Sequence, residues 1–460
     1  MERKHVGNKK RPRNSSPTLD CNTSIILHSN KNGDDDMSFG QSSPSFSSST
    51  PTPTPATSMV EKSKDVPSSI WMQIIGRLPI KTLNDCRYVC RSWRFLVTES
   101  YFYRLYSQHM PTSLILQIKG SSLDVLKQIF FIEFCICKNN DNSSSLMRKL
   151  RFSRRRIYRK KNQESGLMIG PNFQFQLGNS CNGLVCVREI SSREPSLVWN
   201  PMTRQYVVLP KPANTSDDKV VSGFGFCGRT SRYKVVRIYH RNLDPQLKLR
   251  VEIYELGVGD NWRVIGDAPF PIPSRIPGFY THNSIHWILG DEDGNNNNTS
   301  ISDLICGFDF IDEKFKTITP PPIYSADEKN KYHWSNLGII GGCLSICSID
   351  AKIFRADVQV WVMEEYGVPE SWTMRLSIRD PTVNWWDPHR WMQVTNIGID
   401  GEIVMLCAHS YLLSYSVRER RFRSVEELKF PAIAVAPSFI SLEKVLCEKL
   451  GTGSLNVRYL

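Results

Sequence analysis

Between residues 199 and 422 the chain repeats itself. Trp199, Tyr254, Phe308, Trp361 and Tyr415 follow one another at intervals of 55, 54, 53 and 54 positions. A second aromatic comes 7 to 11 residues after each: Tyr206, Trp262, Phe315, Trp372 and Phe422. Four of the first aromatics lie after an apolar run near a Gly or polar turn: Leu184-Val185-Cys186-Val187, Ile285-His286-Trp287-Ile288, Cys343-Leu344-Ser345-Ile346 and Ile403-Val404-Met405-Leu406. The Tyr254 unit is preceded instead by Lys234-Val235-Val236-Arg237-Ile238. Each unit therefore offers about three short strands separated by turns. So small a sheet buries only one face well, and neighbouring sheets have to cover the other. A fixed period of about 50 residues in all-β sequence predicts a propeller-like array with the aromatics filling the space between sheets. Five units are legible, and residues 113–118 with residues 129–134 offer strands for a sixth.

Ahead of the repeats, residues 66–93 read VPSSIWMQIIGRLPIKTLNDCRYVCRSW. Ser68 or Ser69 can cap a helix after Pro67, and Ile70, Ile74, Ile75 and Leu78 follow at helical spacing. Pro79 cannot continue that helix, because it lacks an N–H and pushes Leu78 towards extended backbone. Thr82 then offers a second cap, with Leu83, Cys86, Val89, Cys90 and Trp93 along one face. Helices this short need a partner for their apolar faces.

With Arg77-Leu78-Pro79-Ile80 at the break, Val89-Cys90-Arg91-Ser92-Trp93-Arg94 beyond it and Phe95-Leu96-Val97 and Phe102 as an apolar tail, this segment resembles the F-box. The F-box is the adaptor-binding module of cullin-type ubiquitin ligases. Two departures are Val66-Pro67, where the family opens Leu-Pro, and Gln73, where it carries an acid. The resemblance implies that Pro67, Ile70, Ile74, Leu78, Pro79, Leu83, Cys86, Val89, Cys90 and Trp93 build the adaptor-facing surface or the small core beneath it.

A second resemblance lies in the repeats. Ser180-Cys181-Asn182-Gly183-Leu184, Trp199-Asn200-Pro201-Met202-Thr203-Arg204, Gly223-Phe224-Gly225-Phe226, Tyr233-Lys234-Val235-Val236 and Trp361-Val362-Met363-Glu364 resemble the plant F-box-associated domain, which is kelch-like. The fold class expected is α+β and multidomain. A disordered basic, Ser/Pro-rich tail occupies residues 1–64 and the helical F-box residues 65–110. The F-box-associated domain, all-β and propeller-like with five to six units, takes residues 111–445, with a basic insertion at 138–165. A tail occupies residues 446–460. The pairing of domains implies the substrate receptor of a Skp–cullin–F-box ubiquitin ligase. The helices would dock on a Skp-type adaptor, and through it a cullin, while the β-domain captures an unknown protein substrate. Exposed propeller loops at 291–300, 320–334 and 380–390 are the candidates for that capture. Trp385, Trp386, Arg390 and Trp391 fit a binding hot spot, or else pack their own loop.

Charge divides along the same boundaries. The formal net charge of +13 suggests acidic partners or nucleic acid. Yet residues 138–165 hold ten Lys/Arg against two acids, whereas residues 166–460 hold 31 basic and 32 acidic residues. The repeat domain is thus near neutral, and the basic segment 148–161 is either a contact for acidic surfaces or RNA, or a solvated loop. No ladder of interleaved aromatics accompanies it, so nucleic acid is not the expected partner.

Thirteen cysteines are dispersed along the chain, Cys135 and Cys137 being the one close pair, as in a reducing compartment. No paired ligand spacing completes a zinc site, and no cofactor is expected. No apolar run approaches the roughly 18 residues that span a bilayer, and the N-terminus lacks an apolar signal core. The expectation is a soluble intracellular protein of the nucleus or cytoplasm, with Lys9-Lys10-Arg11-Pro12-Arg13 resembling an import signal. Histidines and carboxylates form no catalytic cluster, so a non-catalytic receptor is expected over a propeller enzyme. A free-standing interaction scaffold and a nucleic-acid-associated protein are the alternatives.

Overall fold

The computed structural model describes residues 67–107, 113–116, 130–135, 146–150, 175–213, 220–240, 249–269, 272, 277–289, 305–322, 332–350, 356–380, 392–397, 402–407, 411–427, 432–447 and 457–459. The tail 1–64, most of the basic segment 148–161, the loop 291–300 and the cluster Trp385, Trp386, Arg390 and Trp391 lie outside them. Among the described residues no helix is long and apolar enough to cross a membrane.

Four short helices come first: α1 Ser68–Ile75, α2 Ile80–Cys86, α3 Arg91–Thr98 and α4 Ser100–Ser107. Neither serine caps α1. Pro67 holds the cap position, and its carbonyl accepts from Ile70 N at 2.9 Å. The first helix does not run on to Pro79: α1 stops at Ile75 with Gly76 as its C-cap, and Leu78 N bonds Ile75 O at 3.1 Å in the turn that follows. Pro79, at φ −57°, ψ 150°, starts α2 directly, leaving Thr82 inside that helix. The expected face from Leu83 to Trp93 is split as well. Tyr88 N bonds Asp85 O and Val89 N bonds Cys86 O in a tight turn. Cys90 is then extended, at φ −154°, ψ 171°, and its Sγ accepts from Trp93 N at 3.4 Å as the cap of α3.

The β-domain is a propeller of four- and five-stranded antiparallel sheets. Five sheets are built from consecutive strands. The second sheet runs Phe175–Cys181, Leu184–Glu189, Pro195–Trp199 and Gln205–Val208, with Arg458–Tyr459 added at its outer edge. The third is Val221–Cys227, Arg232–His240, Leu249–Glu255 and Arg263–Asp267, and the fourth Phe279–Thr281, Ser284–Ile288, Ile305–Asp309 and Lys314–Ile318. The fifth is Tyr332–Ile340, Cys343–Asp350, Ala356–Met363 and Trp372–Asp380, and the sixth Met392–Ile397, Glu402–Cys407, Tyr411–Ser416 and Arg421–Glu427. The first sheet is composite: Ser113–Leu116, Phe130–Cys135 and Leu146–Leu150 are completed by Ala432–Val435, in register Ser113↔Val435 to Leu116↔Ala432. One strand from near the C-terminus thus closes the ring.

Each consecutive unit has four strands, one more than the repeats reveal. The periodic aromatics mark the third strand and the beginning of the fourth, Trp262 alone standing just ahead of it. Trp199 opposes Tyr206, Phe308 opposes Phe315 and Tyr415 opposes Phe422. The last two pairs meet edge-to-face at 5.1 Å between ring centroids, a favoured aromatic geometry. Trp361 departs from the pattern and opposes Met374. Two second aromatics also reach the preceding sheet: Trp262 Nε1 donates to Pro210 O and Trp372 Nε1 to Thr319 O, both at 2.8 Å.

Apolar layers fill the seams between sheets, because each strand face needs a neighbour to exclude water. Leu184, Cys186 and Val198 of the second sheet pack with Phe224, Val235 and Tyr254 of the third. Buried Asn179 crosses the same seam, donating to Phe224 O at 2.7 Å and accepting from Phe224 N at 2.9 Å. Gly225 is required where it stands, since an added Cβ would lie 2.0 Å from the Phe310 ring.

Candidate functional site

The four-helix module has its own core. Ile75, Ile80, Leu83, Cys86, Val97, Phe102 and Tyr106 are buried there, and they continue without a break into Phe175, Val185, Trp199 and Phe439 of the β-domain. Half-buried Leu78 and Trp93 pack on the edge of this core, and Trp93 meets Trp71 with ring centroids 5.2 Å apart. Burial holds the Cys86 thiol above its ordinary pKa, with the Asp85 charge acting in the same direction, so Cys86 serves as a small neutral packing group.

The ten residues singled out by the motif therefore divide by depth. Leu83 and Cys86 are core, and Leu78 and Trp93 are intermediate. Pro67, Ile70, Ile74, Pro79, Val89 and Cys90 face outwards. Ile70 is 45% exposed, Ile74 49% and Val89 63%, which is unusual for aliphatics on a module with a filled core. Three large side chains not expected at this surface join them: Tyr88, Phe95 and Tyr101. Tyr88 falls in the turn that the single-helix reading passed over, and Phe95 and Tyr101 lie beyond the spacing counted from Thr82.

The module is held by the end of the chain. Helix α5, Leu442–Cys447, buries Leu442 and Leu446 in the layer between the second and third sheets. From the same helix Lys444 Nζ donates to Glu99 Oε1 at 2.7 Å and lies 3.8 Å from the centroid of the Phe95 ring. Arg87 stacks over Phe439 at 5.0 Å, and burial lowers its pKa. The helices thus sit on a prepared platform.

Charged clusters in the β-domain join neighbouring strands and sheets. Arg237 donates to Glu252 Oε2 at 2.7 Å and to both oxygens of Glu194, and Tyr239 O–H donates to Glu252 Oε1 at 2.7 Å. Lys234 Nζ donates to Glu313 Oε1 at 2.8 Å and to Phe310 O at 3.2 Å. His286 is fully buried, its Nδ1 3.0 Å from Phe279 O and its Nε2 2.8 Å from Tyr366 Oη. Burial pushes its pKa down to about 4, so the ring is neutral near pH 7. Each cluster is composed as a structural bond. Among the described residues no group of three or more His, Cys, Asp or Glu side chains is placed to hold a metal ion.

Comparison with known proteins falls on the same two regions. The model of the F-box domain matches residues 64–105, and the model of the F-box associated beta propeller domain matches residues 132–438. Arabidopsis thaliana F-box protein At3g07870 is 26% identical over 335 residues, 68% of this chain and 73% of its own length. F-box/kelch-repeat protein At3g23880 of the same plant is 26% identical over 368 residues, 78% of this chain and 89% of its own. F-box protein CPR1 is 25% identical over 340 residues, 69% and 73% of the two chains. A solved prolyl endopeptidase aligns at 9% identity over 80% of this chain and 56% of that one, with a TM-score of 0.29, too slight to bear on function.

Proposed function

Because the chain belongs to the plant F-box proteins that carry an F-box-associated β-propeller domain, we propose that it is the substrate-recognition subunit of a Skp–cullin–F-box ubiquitin ligase. One observation carries the reading: Ile70, Ile74 and Val89 stand in solvent on a module whose core is already filled by other side chains. Exposed aliphatics, with exposed Tyr88 next to Val89 in the chain, are the material of an interface anchor, where a few desolvated side chains dominate affinity. The partner proposed for them is a Skp-type adaptor, and through it a cullin. The propeller would then hold a protein substrate through its loops.

The chemistry asked of such a subunit is positional. Tethering a substrate beside a ubiquitin-charged carrier raises the effective concentration of its lysines to roughly millimolar or more. No covalent step is assigned to this chain. The continuous core between helices and second sheet supports the same role, because a fixed module keeps a captured substrate at a fixed distance. Nucleus or cytoplasm is the proposed place of action, supported by the basic run Lys9-Lys10-Arg11-Pro12-Arg13.

Co-purification with a Skp-type adaptor tests the reading, comparing wild type with Leu78→Ala/Pro79→Ala. Binding by the wild type, lost in a variant whose β-domain still melts cooperatively, is the expected result. Failure of the folded wild type to bind any Skp-type adaptor would overturn it and leave a free-standing interaction scaffold.

A further inference from the structure

Arg188 lies on the second strand of the second sheet, opposite Gln176 and Pro195, and is 2% exposed. Val185 and Val187 of that strand pack with the helical module, whereas Leu184 and Cys186 face the third sheet. Alternation therefore puts Arg188 in the seam between the second and third sheets. Its Nε and Nη2 are both buried, and neither has a hydrogen-bond partner. A guanidinium cannot shed its charge, and buried charges are otherwise paired. An orphaned pair of donors in this position calls for a missing acceptor.

The two orphans are not scattered. Nε and Nη2 form one edge of the guanidinium, with parallel N–H groups that match an anion presenting two oxygens. Arg237, on the second strand of the third sheet, shows this edge in use: its Nε donates to Glu194 Oε2 at 2.6 Å and its Nη2 to Glu194 Oε1. The carboxylates near this end of the seam are engaged elsewhere. Glu194 and Glu252 hold Arg237, and Glu189 Oε2 accepts from Ser192 Oγ at 2.8 Å. Arg193 adds positive charge beside Arg188 and, after burial, is the next cause that lowers its pKa, to about 10. The titratable neighbours that act on Arg188 are Arg193 and Cys186, and no carboxylate is among them.

We propose that the Nε–Nη2 edge of Arg188 binds a small two-oxygen anion, of phosphate or carboxylate type, in the seam between the second and third sheets. The depth of the edge selects a free ion over a polypeptide side chain carried on a folded partner. Bound there, the ion completes the charge pairing of the seam and ties the two sheets together.

Equilibrium dialysis of the full chain with radiolabelled phosphate, at fixed ionic strength and with unlabelled acetate as competitor, reads the site directly. Saturable binding of one ion per chain is expected. Arg188→Lys, which keeps charge but loses the two-donor edge, should weaken it by about tenfold or more. Arg188→Met should abolish binding, and its melting midpoint should no longer rise with phosphate as that of the wild type does. Competition by acetate assigns the site to two-oxygen anions in general, and its absence assigns the site to phosphate. No saturable binding of either ion by the folded wild type, or equal binding by folded Arg188→Met, overturns the proposal.

Discussion

Lys444 on the last helix and Glu99 between α3 and α4 form an ion pair of 2.7 Å, although 345 positions separate them in sequence. The pair joins helix α5 to the F-box module. The anchor of that helix flanks Lys444, where Leu442 and Leu446, two positions to either side, enter the seam of the second and third sheets.

Energetically the anchor should outweigh the pair. The two charged side chains are 34% and 28% exposed, so Lys444→Ala should cost less than about 1 kcal/mol. Leu442 is fully buried, and Leu442→Ala should cost about 2–5 kcal/mol through lost transfer energy and an unfilled cavity. Urea unfolding of the two variants separates these values. Equal costs would mean that the charge pair organises the joint.

Depth within the helical module makes a second division. Ile74→Ser removes an exposed aliphatic, so it should leave the melting midpoint within about 1 °C while weakening adaptor binding by roughly tenfold or more. Leu83→Ala should instead lower stability by about 2–5 kcal/mol, because Leu83 is at the centre of the core. Thermal melts beside adaptor titrations decide it, and an Ile74 variant with unchanged affinity would remove Ile74 from the interface.

Legibility followed local signal. The strands that carry the aromatic pair and the apolar run could be read, because both marks are local and recur. First strands could not: Phe279–Thr281 is three residues long, and Met392–Ile397 alternates polar with apolar but has no aromatic. Ring closure was equally silent, since Ser113 meets Val435 across most of the domain. In the module, Pro79 was readable as a break because its chemistry is fixed. The second break, at Cys90, was not, since a cysteine is not among the preferred capping residues. Exposed and core positions of the motif share one apolar character, so sequence named both and structure had to sort them.

The Arg237 cluster offers a third test. Arg237 is wholly buried and holds Glu194 and Glu252, so Arg237→Met leaves two carboxylates facing each other without their cation. Breaking a buried pair in this way typically costs about 3–5 kcal/mol. Adding Glu194→Gln and Glu252→Gln to Arg237→Met should recover part of that loss by removing the stranded charges. Chemical unfolding of the single and triple variants measures the difference. A triple variant less stable than the single would show that the remaining bonds of the carboxylates, such as that from Tyr239 O–H to Glu252, outweigh the repulsion left by removing Arg237.

His286 gives the propeller a graded acid sensitivity. In the folded chain its pKa is pushed down to about 4 from an ordinary 6.5, first by burial and then by the positive charges of Lys316 and His282, against the pull of Phe279 O and Asp309. The unfolded chain therefore takes up the proton at higher pH than the folded one. The contribution of a neutral His286 is fully present above pH 6.5 and is lost as pH falls towards 4. Over that window the loss amounts to about 3 kcal/mol. Protonation would also cost the ring its role as acceptor for the Tyr366 hydroxyl, which links the fourth sheet to the loop after Met363. His286→Gln has no proton to gain, so its urea midpoint should change less between pH 6.5 and 4 than that of the wild type. A carboxylate such as Glu313, also held below its ordinary value and not among the groups acting on His286, titrates in both proteins and cancels in the difference. If the two midpoints fell in parallel, the acid sensitivity would belong to such carboxylates and not to the histidine.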